Sequence, residues 1–232
     1  MPNIQDYVIW RGDLPLDRVP LCDVDALLLS YLSYMPYDNI VGDAFDGGIS
    51  LRDAAQKLLE VNEREKRLIA GYAAAMIKPH DFVYLDAGTT TGYMLEFFCD
   101  KDVTVVTNAV AHAQRLAKAG VKVRLVGGEL KSSTEAVVGS EAMQTLRKYH
   151  FTKGFFGTNG VTKKAGFTTP DANEAMVKKT AIEQCQKKYV LCDHSKFGEV
   201  SSVTFLAFTG ADVITDRIAE GYQDCGNIVV IE

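Results

Sequence analysis

The strongest constraint on the fold is an alternation, from residue 61 onward, of short β-branched segments with helical patterns of about 10–15 residues. This rhythm is typical of βαβ units, in which a helix joins two parallel strands and packs on the sheet. It predicts an α/β fold, with a mainly parallel sheet flanked by helices. The expected strands are residues 82–86, 103–107, 121–126, 152–157, 189–192, 212–215 and 228–231, and the expected helices are 64–77, one ending at 98, 109–119, 140–149 and 173–186.

The chain changes character near residue 61. Residues 1–60 predict only two helices, at 22–37 and 50–60, with a Gly- and Asp-rich loop between them. They hold ten acidic and four basic residues, a net charge of −6 against −5 for the whole chain. Because affinity for DNA depends largely on Lys and Arg displacing counterions, we expect residues 1–60 to be an acidic helical segment that does not bind DNA. Residues 61–232 are expected to form the second domain.

The cysteine pattern and the first residues of the chain indicate the cellular compartment of the protein. The five cysteines include no C-x-x-C pair, and the four histidines are scattered without ligand spacing, so we expect reduced thiols, no metal and no cofactor. The first residues lack the basic and apolar regions of a signal peptide. No segment approaches the ~18 consecutive apolar residues of a spanning helix. These features predict a cytoplasmic protein with no membrane association.

Small, polar or charged residues follow most of the predicted strands. In open α/β sheets, ligands bind at the carboxyl ends of the strands, so these residues are the ones expected to line a pocket. The segments are 86–91, 107–108, 127–129, 157–160 and 193–196. Their common character predicts a polar ligand site.

The loop from Asp86 to Thr91 is the most informative of these segments. Gly88 lets the backbone approach an anion closely, and Thr89, Thr90 and Thr91 add hydroxyl donors at the start of a helix, where free N–H groups favour negative charge. Threonine-rich turns also cap helices, so this loop alone leaves both readings open. Lys196, a mobile point charge suited to phosphate, is either a second anion contact or a solvated surface lysine.

Several short motifs recur in a fixed order through the second domain. They are Asn62-x-x-Glu65-Lys66-x-x-Ile69-Ala70, residues 85–91, 105–108, 127–128, 138–139 and 155–160, Glu174-x-x-Val177-Lys178, and Asp193-His194-Ser195-Lys196-Phe197-Gly198. With these motifs, residues 61–232 resemble the C-terminal sensor domain of DeoR-family transcriptional repressors of sugar metabolism.

That resemblance implies a fold shared with ribose-5-phosphate isomerase and glucosamine-6-phosphate isomerase. It also implies a phosphorylated sugar, or a related small anionic metabolite, as the effector. The phosphate would lie on the loop 88–91, and the chain would form a homo-oligomer. The ligand-binding residues implied in this way are Asp86, Gly88, Thr89, Thr90, Thr91, Asn108, Gly128, Gly160, Glu174, Lys178, Asp193 and Lys196.

Residues 1–60 depart from the family. The repressors begin with a winged helix-turn-helix whose recognition helix carries consecutive arginines, and nothing in residues 1–60 has that pattern. The segment instead resembles the opening of an uncharacterised bacterial lipase-like family, through residues 4–7, 10–13, 24–34 and 49–51. The hydrolase motif G-x-S-x-G is missing, so no hydrolytic activity is expected from it.

Two alternatives to a sensor without its own DNA-binding domain stay open. A sugar-phosphate isomerase would need a carboxylate base on the carbon that loses its proton, and Glu174 or Asp193 could serve. The sequence lacks the D-G-A-D-E-type motif of ribose-5-phosphate isomerases, so we expect no enzyme activity. The second alternative is a full DNA-binding regulator that uses the acidic residues 1–60 in an unfamiliar way, which the charge count and the missing recognition helix disfavour. Without direct binding of nucleic acid, the chain would act in transcription by hetero-oligomerising with full-length family regulators.

Overall fold

The computed structural model describes residues 62–98 and 102–231. The two helices expected at 22–37 and 50–60, and the residues that resemble a lipase-like family, lie outside these ranges.

The described residues form helices and strands in regular alternation. The helices are α1 (Glu63–Ala75), α2 (Thr89–Tyr93), α3 (Val110–Lys118), α4 (Ser140–Leu146) and α5 (Ala172–Glu183), with short 3-10 helices at Met94–Phe97, His194–Lys196 and Phe208–Gly210. The strands are β1 (Phe82–Leu85), β2 (Thr104–Thr107), β3 (Lys122–Leu125), β4 (Glu129–Lys131), β5 (Ala136–Val138), β6 (Phe151–Gly157), β7 (Gly160–Thr162), β8 (Gly166–Thr169), β9 (Cys185–Leu191), β10 (Val203–Leu206), β11 (Asp212–Thr215) and β12 (Ile228–Val230).

Seven strands form one sheet in the order β12-β11-β9-β6-β1-β2-β3, and every neighbouring pair is parallel. The predicted α/β fold class is therefore confirmed. The chain builds outward from β1 to β3 on one side and from β6 to β12 on the other. The order thus reverses between β1 and β6, where Leu85 pairs with Phe155. Ligand crevices of open parallel sheets form at such a reversal, beyond the carboxyl ends of the strands.

Apolar residues are buried on both faces of this sheet. Tyr84 and Phe156 belong to one buried cluster, whereas their neighbours Val83 and Phe155 belong to the other. This follows from the two-residue period of a strand, which sends successive side chains to opposite faces. Each buried aromatic contributes about 1.5–3 kcal/mol relative to exposure. The core therefore fixes the positions of the strand ends, where the polar residues lie.

Two small antiparallel sheets were not expected from the sequence. Strands β4 and β5 form a hairpin, and β7, β8 and β10 form a three-stranded sheet. Their strands have three or four residues each, too short for a clear alternation of apolar and polar side chains. Both sheets lie in segments that connect strands of the seven-stranded sheet, so they do not change its strand order.

The largest difference from the expected boundaries lies where α5 ends and β9 begins. The helix predicted at 173–186 ends at Glu183, and β9 begins at Cys185 and continues to Leu191. The polar residues Gln186, Lys187 and Lys188 therefore lie in a strand, held there by pairing with β6 along its whole length. Within the described ranges, no helix combines the length and the hydropathy needed to cross a membrane.

Candidate functional site

The polar centre of the structure is a buried ion pair at the reversal of strand order. Asp86 follows β1 directly and is 1% exposed, and its carboxylate pairs with the Lys178 ammonium from α5. The same carboxylate accepts a hydrogen bond from the Gly157 N–H at 3.0 Å, and Lys178 also donates to the Gly157 carbonyl at 3.3 Å. The pair therefore ties β1, β6 and α5 together.

The environment of this pair governs its charge. Burial raises the pKa of the Asp86 carboxyl from its ordinary value, while the Lys178 ammonium and the Gly157 N–H oppose that increase. Hydrogen bonds to the ionised form are needed because a buried charge without partners is costly. The Asp86 carboxylate therefore stabilises the site through its ion pair with Lys178 and its hydrogen bond from Gly157.

The loop from Gly88 to Thr91 begins α2 beside this pair. Gly88 has an extended backbone and is the N-cap, so no side chain caps the first N–H groups of the helix. The Thr91 hydroxyl donates to the Asp86 carbonyl at 2.7 Å, which makes Thr91 an internal brace of the loop. Thr89 is exposed and Thr90 is 8% exposed. The loop thus offers backbone N–H groups and the hydroxyls of Thr89 and Thr90 at the carboxyl end of β1.

Asn108 follows β2 and supports the same loop from the other side. Its Oδ1 accepts hydrogen bonds from the Tyr84 hydroxyl at 3.0 Å and the Ala87 N–H at 3.1 Å. Its Nδ2 donates to the Val137 carbonyl at 3.2 Å. With a side chain that is 2% exposed and bonded at both ends, Asn108 positions the loop.

Gly128 and Gly160 lie where the backbone packs tightly. A Cβ on Gly128 would lie 2.5 Å from the Val138 carbonyl oxygen, and the Gly128 φ of +145° also favours glycine. A Cβ on Gly160 would lie 2.4 Å from the Glu199 carbonyl oxygen. Close packing at both positions, together with the positive φ of Gly128, explains why they hold glycine.

Glu174 lies in the first turn of α5 and meets the β4–β5 hairpin. Its Oε1 accepts hydrogen bonds from the Lys131 ammonium at 2.9 Å and the Thr134 hydroxyl at 2.8 Å. Lys131 also lies 3.2 Å from the carboxylate of Asp171, the N-cap of α5. Partial burial acts to raise the pKa of Asp171, but the Glu174 N–H and the Lys131 ammonium hold it below its ordinary value.

Asp193 follows β9, the strand next to β6, and is 1% exposed. Its Oδ1 accepts hydrogen bonds from Asn62 Nδ2 and the Ser195 N–H, both at 3.0 Å. Lys66 of α1, which is 5% exposed, interacts electrostatically with both Asp193 and Lys196. Burial lowers the pKa of Lys66, while Asp193 opposes this effect and Lys196 adds to it. Lys196 itself is half-buried.

Most of the predicted residues follow four neighbouring strands, each about 4.8 Å from the next: Asn108 follows β2, Asp86 and the loop 88–91 follow β1, Gly160 follows β6, and Asp193 and Lys196 follow β9. Gly128 follows β3, and Glu174 and Lys178 lie in α5. The structure joins Asp86 to Lys178 directly and groups Asp193 with Lys196. Sequence reasoning missed Asn62, Lys66 and Lys131 as members of the site. Asn62 and Lys66 stand in a motif noted above, but a pattern of residues does not distinguish a buried lysine from a solvated one.

His194 is not part of a Ser-His-Asp triad in the described ranges. Its Nδ1 lies 2.7 Å from the Asp216 carboxylate and its Nε2 lies 3.1 Å from Arg217. The neighbouring Ser195 hydroxyl hydrogen-bonds to Asp193 instead. The same ranges contain no cluster of three or more His, Cys, Asp or Glu that could hold a metal ion.

Comparison with known proteins identifies relatives for this arrangement. Residues 61–217 match the family model described as the DeoR C terminal sensor domain. The chain is 44% identical over 176 residues to the uncharacterized HTH-type transcriptional regulator FruR of Bacillus subtilis, covering 74% of this chain and 70% of that protein. It is 35% identical over 144 residues to the lactose phosphotransferase system repressor of Staphylococcus aureus, covering 61% of this chain and 57% of the repressor.

Among solved structures, the chain is similar to ribose 5-phosphate isomerase A from Methanocaldococcus jannaschii. The TM-score is 0.45 and the sequence identity is 15%, over 59% of this chain and 55% of the isomerase.

Proposed function

From the premise that this chain belongs to the DeoR C-terminal sensor domain family, we propose that it binds a phosphorylated sugar as the effector of a regulator of carbohydrate metabolism. The ligand would lie at the carboxyl edge of the parallel sheet, where the strand order reverses between β1 and β6. A related small anionic metabolite would use the same contacts.

One observation carries this proposal: the uncapped start of α2 lies beside the buried Asp86–Lys178 pair. Free N–H groups at a helix start attract anions, and here they are held in place by Thr91 and Asn108. Because these hydrogen bonds within the protein fix the loop, little ordering cost would remain when phosphate binds. The phosphate would contact the backbone at 88–90, the Thr89 and Thr90 hydroxyls, and Lys196.

The sugar part would be recognised by polar side chains along the same edge. Glu174 and Asp193 are carboxylates that can accept hydrogen bonds from sugar hydroxyls, and Asn62 offers an amide beside Asp193. One relative bears the name lactose phosphotransferase system repressor, which associates that protein with a sugar. We extend the association to this chain as the chemical class of its effector.

Binding without turnover is favoured over isomerisation. A general base needs a carboxylate free to take a proton from the substrate. Asp86 is paired with Lys178, Glu174 accepts from Lys131 and Thr134, and Asp193 accepts from Asn62 and Ser195. Each carboxylate proposed for the site is thus already engaged by donors, which supports a sensor and not an enzyme.

We also infer that the chain self-associates in the cytoplasm, as a homo-oligomer or with full-length family regulators, and does not itself bind nucleic acid. The support is an apolar patch on α1 and the adjoining 3-10 helix. Leu68, Tyr72 and Phe97 in this patch are 47%, 44% and 41% exposed. Large exposed apolar side chains that cluster are typical of protein interfaces. Light scattering of the purified chain, alone and mixed with a full-length family regulator, should show association in at least one of the two samples, whereas a chain that stays monomeric in both would contradict this inference.

The proposed ligand class is tested by thermal denaturation against a panel of sugar phosphates and the matching free sugars. A compound that binds only the folded chain raises the melting temperature by mass action. We expect at least one sugar phosphate to do so, and its free sugar not to. Thr90→Ala and Lys196→Ala should each abolish the shift with little change in the unliganded melting temperature. If both variants respond like the parent, the site assignment is wrong.

A further inference from the structure

The first turn of α5 brings unfavourable charge to the proposed site. It carries the carboxylates of Asp171 and Glu174, and Glu174 lies one helical turn before Lys178, the residue that reaches Asp86. Residues at this spacing share one face of a helix. The Glu174 charge is felt at Asp86, whose carboxyl it makes harder to ionise. An anionic ligand at this edge would be repelled by both acids.

The β4–β5 hairpin supplies a compensating cation. Lys131, at the end of β4, places its ammonium 2.9 Å from Glu174 and 3.2 Å from Asp171. Thr134, in the turn of the hairpin, donates to the same Glu174 oxygen at 2.8 Å. The Lys131 side chain is 19% exposed and those of Asp171 and Glu174 are 28% and 16% exposed. Charges removed from water to this degree interact more strongly than surface pairs.

The hairpin is itself fixed to the strand ends of the site. Asn108 holds it through hydrogen bonds with both the carbonyl and the N–H of Val137 in β5. The Gly128 backbone packs closely against the Val138 carbonyl oxygen, which fixes the open end of the hairpin. Because the hairpin is held in place by these contacts, the fold fixes the position of Lys131 relative to Asp171 and Glu174.

We propose that Lys131 is a specificity-determining residue of this site, because it neutralises Asp171 and Glu174 and so permits an anionic sugar to bind where an uncharged sugar would otherwise be preferred. The inference rests on the proposed function and adds to it the source of charge selectivity. Lys131 acts through the two carboxylates, and no direct contact with phosphate is required of it.

The test is titration calorimetry of the full chain with glucose 6-phosphate, fructose 6-phosphate, fructose 1-phosphate and the two free sugars. Lys131→Met should weaken binding of the phosphorylated sugars roughly tenfold, while leaving any binding of the free sugars unchanged. Lys131→Arg should keep most of the affinity. Lys118→Met, which removes the same charge at the far end of α3, is the matched control and should bind like the parent.

A second variant separates electrostatics from loss of structure. Asp171→Asn keeps an N-cap side chain for α5 but removes one of the two acids. In the Lys131→Met background it should recover part of the lost affinity, which a merely misfolded hairpin would not. If Lys131→Met binds sugar phosphates as tightly as the parent, or Asp171→Asn recovers nothing, the inference is overturned while the proposed function stands. If the parent binds no sugar phosphate, both fall together.

Discussion

The Lys178 ammonium pairs with the Asp86 carboxylate across 92 residues of chain, and both side chains are almost wholly buried. Asp86 directly follows β1, and Lys178 lies in α5, the helix that follows β8. One pair therefore joins the two halves of the sheet where the proposed ligand would lie. Its removal should affect both stability and binding.

We expect Lys178→Met to lower the free energy of unfolding by about 3–5 kcal/mol, because it leaves the Asp86 charge buried without its main partner. Urea denaturation at neutral pH measures this. The double variant Lys178→Met/Asp86→Asn should be less destabilised than the sum of the two single variants. Additive effects in this cycle would show that the two side chains do not interact.

Two adjacent glycines provide a matched test of backbone packing. Gly128→Ala should destabilise the fold by about 1–3 kcal/mol, because its Cβ would meet the Val138 carbonyl oxygen at 2.5 Å with φ at +145°. Gly127→Ala should change stability by less than about 0.5 kcal/mol, since nothing lies within 4 Å of its Cβ. Equal losses of stability for the two variants in urea denaturation would contradict the close packing of Gly128 against Val138.

The burial of His112 predicts that the free energy of unfolding depends on pH. It is 8% exposed, its Nδ1 has no hydrogen-bond partner among the described residues, and burial lowers its pKa from 6.5 to about 4. Because the folded-state pKa lies below the unfolded one, the contribution of neutral His112 is present above pH 6.5 and is lost as pH falls toward 4.

The loss between pH 6.5 and pH 5 should be about 1.5 kcal/mol. Urea denaturation of the parent at both pH values, set against His112→Gln, measures it. The variant should lose less stability over this interval than the parent. A parent and variant that lose the same amount would mean that His112 is protonated as readily in the folded chain as in the unfolded one.

Much of the fold could be predicted because it depends on local patterns. The β-branched segments before Asp86 and Asn108 are buried on both faces, as parallel strands require, so their apolar runs were visible in the sequence. The rule that ligands bind at strand ends then selected the segments that hold Asp86, Asn108 and Asp193. The family resemblance added Glu174 and Lys178, which lie inside a helix.

The rest depended on contacts between distant segments. No local sequence pattern indicates that the Asn108 side chain forms hydrogen bonds with Tyr84, Ala87 and Val137. Nor does one indicate that the Thr91 hydroxyl stabilises the loop while Thr89 stays exposed. The two small antiparallel sheets could not be predicted because each strand is too short for a pattern. The role proposed for Lys131 depends on the contact between the hairpin and α5, which no local pattern indicates.

The central claim is that a phosphate group binds against the backbone at residues 88–90. A crystal structure of the full chain with the sugar phosphate that gives the largest thermal shift tests it most directly. We expect the phosphate oxygens within hydrogen-bond distance of N–H groups from this loop, with Lys196 turned toward them. Phosphate bound elsewhere, or a crevice filled by side chains with no room for an anion, would contradict the account.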